Sequence, residues 1–106
     1  MTTKELLGRR IKELRNKRDL TQGELSEIIE IDPKHLSRIE VGGSYPSLDT
    51  LDKIGKVLKV ELKDFFEFSH QGKNKREIEK AINALLKESP TDILPLIIKV
   101  VRAIIR

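Results

Sequence analysis

The sequence predicts an all-α protein, and three kinds of observation support that prediction. Apolar residues recur every three or four positions along most of the chain, which is the spacing of an amphipathic helix. Two segments begin with strong N-terminal caps, a capping box of Thr21 with Glu24 and the pair Asp32-Pro33. The connections between segments are two to six residues long, which indicates a compact helical unit.

The first predicted helix covers residues 3–18, where leucine and isoleucine share one face. The second opens at the Thr21 capping box, whose two side chains satisfy backbone N–H groups that lack helical partners. The residues of these two helices that are expected to face inward are Leu7, Ile11, Leu14, Leu25, Ile28 and Ile29.

The third predicted helix starts at Asp32-Pro33 and ends at Gly42-Gly43, where the chain needs left-handed backbone angles. The fourth helix is expected to begin after Ser47, a residue type that favours the N-cap position, and a short fifth helix is expected over 61–67. The inward residues expected in these last two helices are Leu48, Leu51, Ile54, Val57, Leu58, Phe65 and Phe66.

The chain is expected to divide into two parts. Residues 1–68 form the compact unit, HQGKN within residues 69–74 breaks the periodicity as a linker, and residues 75–106 resume it as two further helices. The net charge is +4 over residues 1–20, −4 over residues 21–69 and +4 over residues 70–106. Basic ends suit a polyanionic partner.

The composition excludes several classes of protein. The 106 residues are 38% hydrophobic and 36% charged, as in soluble globular proteins, and they include no cysteine for disulfides or thiolate metal sites. An intracellular, cytoplasmic location fits. No signal-peptide core or apolar membrane span is expected, and no cluster of catalytic or metal-binding residues is evident. We therefore expect neither an enzyme nor a protein with a metal, cofactor, small-molecule or membrane partner.

The third helix has an outer face with the chemistry of base recognition. At about 100° per residue, Leu36 and Ile39 point inward, and the side chains that project outward are Lys34, Ser37, Arg38 and Val41. Arginine and lysine form paired hydrogen bonds to guanine O6 and N7, and serine contacts several bases.

Several motifs in register resemble one family over residues 7–66. They are Leu20-Thr21-Gln22 with Leu25, Leu36-Ser37-Arg38-Ile39-Glu40 with Gly42, Pro46-Ser47-Leu48, and the closing Phe65-Phe66. The chain resembles the phage repressor and Cro-type (xenobiotic response element-like) helix-turn-helix regulators. The resemblance implies a five-helix lambda-repressor-like domain, in which the third helix enters the major groove and the second lies across the phosphate backbone.

The resemblance also implies which residues contact DNA. Those expected to contact bases are Pro33, Lys34, His35, Ser37 and Arg38. Those expected to contact phosphates are Gln22, Thr21, Arg9, Arg10, Ser44 and Tyr45, with Gln22 at a helix N-terminus that favours anions.

The chain departs from the family pattern at Glu30, Pro33 and Val41. Glu30 stands in the turn where the family has glycine, so it must adopt a strained angle or the turn must differ. Pro33 offers only an apolar contact, such as one to a thymine methyl group. Val41 replaces a polar residue that often contacts phosphate.

Arg15 and Glu40 are expected to form a structural ion pair. Each lies one turn after an inward residue, at the edge of the buried face, and the family pairs these two positions. A partly buried carboxylate needs such a partner.

The last helix is expected to mediate dimerisation, because its apolar arc of about 220° exceeds the roughly 100° that a surface helix buries. The residues assigned to this interface are Leu94, Ile97, Ile98, Val101, Ile104 and Ile105. The C-terminal hairpin would thus join two domains on a two-half-site operator.

The predicted function is a sequence-specific, double-stranded-DNA-binding transcriptional regulator, a dimeric repressor. An antitoxin-like module that binds a protein partner through its C-terminal helices is the alternative from another class. An interfacial membrane helix is the alternative for the last helix alone.

Overall fold

The computed structural model of the chain describes residues 2–67, together with Lys80, Asn83, Ala84 and Lys87. All the regular secondary structure within residues 2–67 is helical, which confirms the predicted class. The elements are α1 (Thr3–Lys17), α2 (Gln22–Ile29), α3 (Pro33–Glu40), α4 (Leu48–Leu58) and a 3₁₀ helix (Leu62–Phe66).

Side-chain caps start the α-helices, because the first backbone N–H groups of a helix have no partner within it. The predicted capping box is confirmed: the Glu24 N–H donates to the Thr21 hydroxyl at 3.1 Å, and the Thr21 N–H donates to the Glu24 carboxylate at 2.9 Å. That hydrogen bond from the Thr21 backbone lowers the pKa of Glu24. Asp32 and Ser47 cap α3 and α4 as predicted.

The turn between α2 and α3 contains a residue in the left-handed region. Glu30, which stands where the family has glycine, adopts φ 60° and ψ 48°. Of the two expected possibilities, the turn therefore has the left-handed geometry that glycine would adopt, and Glu30 takes the unfavourable angle. After α3 the left-handed step falls at Gly42, with φ 83°, so α3 itself ends two residues earlier than the predicted glycine pair.

One predicted core residue is not buried. Ile28 is 55% exposed, so its inward assignment was wrong. Leu25 and Ile29 provide the apolar part of the buried face of α2, and Ser26, at 1% exposure, completes it on the side away from Ile28. Ile28 instead borders an open groove of about 360 Å³ between α2 and α4. Periodicity alone did not distinguish the two edges of this stripe.

The fifth predicted element is present with a different geometry. It forms a 3₁₀ helix, so residues 2–67 contain four α-helices and one 3₁₀ helix. A segment of only five residues suits the tighter 3₁₀ geometry, which proteins use in short pieces. Phe65 and Phe66 are both buried there, as predicted.

A single apolar cluster joins these elements and holds α3 against the domain. Leu36 and Ile39 of α3 are 0% and 1% exposed, so the inner side of α3 is part of the core. The predicted inward residues of α4 are buried too, except that Val57 is only half-buried. The orientation of α3 is therefore set by the core.

The predicted linker over residues 69–74 lies outside the described residues. So does nearly all of the predicted dimerisation segment over residues 75–106, including its six interface residues, Leu94, Ile97, Ile98, Val101, Ile104 and Ile105. Within the described part of the chain, none of the helices has the length and apolar character needed to span a membrane.

Candidate nucleic-acid interface

The outer face of α3, defined as Lys34, Ser37, Arg38 and Val41, lies on the side opposite the core. Lys34, Arg38 and Val41 are exposed and Ser37 is half-buried. This helix therefore presents two cations and a hydroxyl outward while its inner side is packed.

The other two α3 residues assigned to base contacts lie at its N-terminal end. Pro33 is exposed as the first residue of the helix, and His35 is half-buried. The Asp32 carboxylate next to them accepts the Lys34 backbone N–H at 2.8 Å. The capping acid is thus bonded to the helix backbone.

A buried ion pair locks α3 to α1. The Arg15 guanidinium donates to both carboxylate oxygens of Glu40, from Nε at 2.7 Å and from the second terminal nitrogen at 2.9 Å. The two side chains are only 7% and 1% exposed. Hydrogen bonding to Glu40 raises the pKa of Arg15. The two-point contact restricts both sliding and rotation of α3.

Gln22 joins this pair, a contact that sequence reasoning missed. Its amide nitrogen donates to Glu40 at 2.9 Å, and Arg15 also donates to the Leu20 carbonyl oxygen at 2.6 Å. One carboxylate therefore connects α1, the start of α2 and the end of α3. The sequence signal for this role is limited to the place of Gln22 as the first residue of α2, because its partner is distant in sequence.

Arg10 is not brought to the α3 surface. Its Nε donates to the Asp64 carbonyl oxygen at 2.8 Å, and its guanidinium also pairs with Glu13 and, at 3.8 Å, with Glu67. It lies about 200° around α1 from Gly8, which packs on the end of α3. Arg10 thus ties α1 to the 3₁₀ helix, and we leave it out of the candidate interface. Arg9 is exposed, about halfway between those two sides of α1.

The remaining assigned residues lie at two loops. Thr21 is exposed at the start of α2 and uses its hydroxyl oxygen in the capping box. Ser44 and Tyr45 are half-buried in the loop after α3, and the Ser44 hydroxyl donates to the Tyr45 carbonyl oxygen at 3.2 Å. The Lys4 ammonium lies 5.4 Å from the centre of the Tyr45 ring, a cation–π contact that adds a positive charge beside this loop.

Gly8 permits the close approach of α1 and α3, a role that no pattern in the sequence indicates. A methyl group built on Gly8 would overlap the Ile39 carbonyl oxygen and lie 2.7 Å from the Glu40 carbonyl oxygen. Any larger residue would push the end of α3 away.

Comparison with known families identifies the two-helix unit that carries this surface. A family model described as helix-turn-helix matches residues 11–65, which is just over half of the chain and runs from the second half of α1 to the 3₁₀ helix. A search of curated proteins finds no match. The matched region contains the α2–α3 turn, the Arg15–Glu40 pair and the outer face of α3. The chain belongs to the helix-turn-helix family, whose members are DNA-binding transcription regulators.

Proposed function

We propose that the protein is a sequence-specific repressor of the phage repressor and Cro type, which binds a two-half-site operator as a homodimer. The observation that carries the proposal is the two-sided construction of α3. Its inner side is held by the core and by the Arg15–Glu40 pair, while Lys34 and Arg38 are exposed on its outer face. An α-helix with such a face fits the major groove of B-DNA.

The proposed base contacts follow from side-chain chemistry. Lys34 and Arg38 donate to guanine O6 and N7, and Ser37 exchanges hydrogen bonds with whichever base it faces. Pro33 makes an apolar contact, and His35 contacts a base from the half-buried N-terminal end of the helix. Because these residues occupy two helical turns, one α3 addresses a short half-site.

The proposed phosphate contacts surround α3. The first-turn N–H groups of α2 and the Gln22 side chain bind one phosphate, because a helix N-terminus attracts anions. Ser44, Tyr45 and Lys4 bind another from the loop after α3. Thr21 and Arg9 add to this set. A Gln22 that contacts both Glu40 and a phosphate would link the position of α3 to the DNA backbone.

Selection of bound sequences from a random DNA pool tests the proposed function. We expect one enriched motif that contains guanine in each of two half-sites, with centres about 34 Å apart. The affinity should fall steeply as salt is raised, because each neutralised phosphate releases counterions. Enrichment of no motif, with weak binding that is equal for all sequences, would reject sequence-specific regulation.

Arg38→Ala is expected to reduce discrimination at one base pair of the selected site. The binding free energy for the selected motif should weaken by about 1–3 kcal/mol, and that for random DNA by much less. The reason is that a base contact is lost while the phosphate contacts remain. Affinities measured by titration on both DNAs check this. Lys53→Ala removes an exposed cation from α4 and should change neither affinity. Equal losses on motif and random DNA would exclude Arg38 as a base-contacting residue.

Deletion of residues 73–106 is expected to leave a folded monomer. The core of residues 6–66 is closed, and in the described part of the chain every buried side-chain nitrogen and oxygen has a hydrogen-bond partner. Without linked half-site binding, operator affinity should fall about 100-fold or more. Light scattering and DNA titration measure the two effects. A truncated chain that remains dimeric would place the interface elsewhere, and a full-length monomer that co-purifies with another protein would favour a partner-binding module.

A further inference from the structure

Among the described residues, two large apolar side chains are exposed to solvent, and Val41 is the more exposed of the two. It is 70% exposed, against 55% for Ile28 on α2. Val41 caps α3 rather than lying in a loose loop, because its N–H donates to the Ser37 carbonyl oxygen at 3.1 Å. Its direction therefore continues the helical pattern of α3.

Around the helix axis, that direction places Val41 among the side chains proposed to contact bases, although it lies at the C-terminal end of α3. At about 100° per residue, Val41 lies about 20° from Lys34 around the helix axis, between Ser37 and Arg38. It is seven residues further along, about 10.5 Å at 1.5 Å per residue.

The chemistry of the isopropyl group restricts what it can recognise. Valine has no donor or acceptor for a phosphate or for the polar edge of a base. The apolar feature of the major groove is the methyl group on C5 of thymine, and 5-methylcytosine carries the same group on the same ring atom. Contact between the two removes apolar surface from water, whereas an unmethylated pyrimidine leaves Val41 without an apolar partner.

We infer that Val41 is a specificity-determining residue that contacts the C5 methyl group of a pyrimidine, at a different base from the one contacted by Lys34. This inference rests on the proposed function, since it needs α3 in the major groove. It makes the operator half-site a guanine-containing sequence that ends on a methylated pyrimidine.

Removal of single methyl groups from the DNA tests the inference. In the duplex selected with the full-length chain, each thymine is replaced in turn by deoxyuracil, which lacks only the methyl group. In a second arm, cytosine and 5-methylcytosine are compared at the same position. We expect the methylated base to bind about four-fold more tightly at one position per half-site, and this ratio to fall to about one with Val41→Ala.

Ile28→Ala is the matched control, because it truncates the other exposed apolar side chain, and it should leave the four-fold ratio unchanged. If the methylated base binds more tightly only in the thymine arm, the contact is assigned to thymine. If it does so only in the cytosine arm, the contact is assigned to 5-methylcytosine. The inference is overturned if no methyl effect depends on Val41, or if Val41→Ala weakens methylated and unmethylated duplexes equally. Selection of no motif by the unaltered chain would instead defeat the proposed function itself.

Discussion

Replacement of Glu40 by alanine is expected to lower the free energy of unfolding by about 3–5 kcal/mol. The change leaves the Arg15 guanidinium in a site where it is only 7% exposed, without the carboxylate that receives two of its hydrogen bonds. Gln22 loses its acceptor as well. Breaking one half of a buried pair is costly because the remaining charge is neither hydrated nor compensated. Urea unfolding monitored by circular dichroism measures the change.

A surface ion pair provides the control for this prediction. Lys56→Ala removes the partner of Asp52 from a pair whose lysine is 79% exposed, and it should change stability by less than about 1 kcal/mol. Arg15→Ala and the double variant complete a thermodynamic cycle, in which a coupling energy well above that of the surface pair is expected. If Arg15→Ala left both stability and DNA binding intact, the pair would have no structural role.

Gly8→Ala is expected to destabilise the domain by about 2–3 kcal/mol and to weaken DNA binding as well. The added methyl group would meet the backbone of Ile39 and Glu40, which cannot rotate away as a flexible side chain can. To make room, the end of α3 must move away from α1, which disturbs both the buried ion pair and the outer face. Thermal unfolding and titration of the selected duplex measure the two losses.

Gly23→Ala is the matched control, because it makes the same change at a helical glycine with open surroundings. A methyl group there would lie 3.9 Å from the Thr21 hydroxyl oxygen, at ordinary contact distance. Since alanine favours the helix, we expect stabilisation of roughly 0.5–1 kcal/mol. Gly8→Ala with unchanged stability and unchanged affinity would show that α1 and α3 do not need this close approach.

Local signals in the sequence predicted the helices well. The capping box of Thr21 with Glu24 and the caps at Asp32 and Ser47 act within three residues of chain, so their hydrogen bonds could be anticipated from spacing alone. The outward direction of Lys34 and Arg38 followed equally from the helical repeat. These features depend on neighbours along the chain, which the sequence displays directly.

Features that depend on a distant partner were less accessible. Ile28 and Ile29 are adjacent apolar residues at the edge of one stripe, yet helix packing buries Ile29 and leaves Ile28 exposed. Arg9 and Arg10 are adjacent arginines, yet Arg10 is hydrogen-bonded to Asp64 in the 3₁₀ helix, 54 residues further along the chain. Residues of one type at neighbouring positions acquire different roles when the helices pack.

The amino-acid sequence was sufficient to establish an all-helical class, the start of each main helix and the cationic outer face of α3. Short-range hydrogen bonding and the helical period cause these properties, and neither requires knowledge of the fold. The tertiary structure alone decided that Gln22 joins Arg15 and Glu40, and that Gly8 permits the contact between α1 and α3. Such contacts arise because packing brings together groups that are far apart along the chain, at distances that no local pattern records.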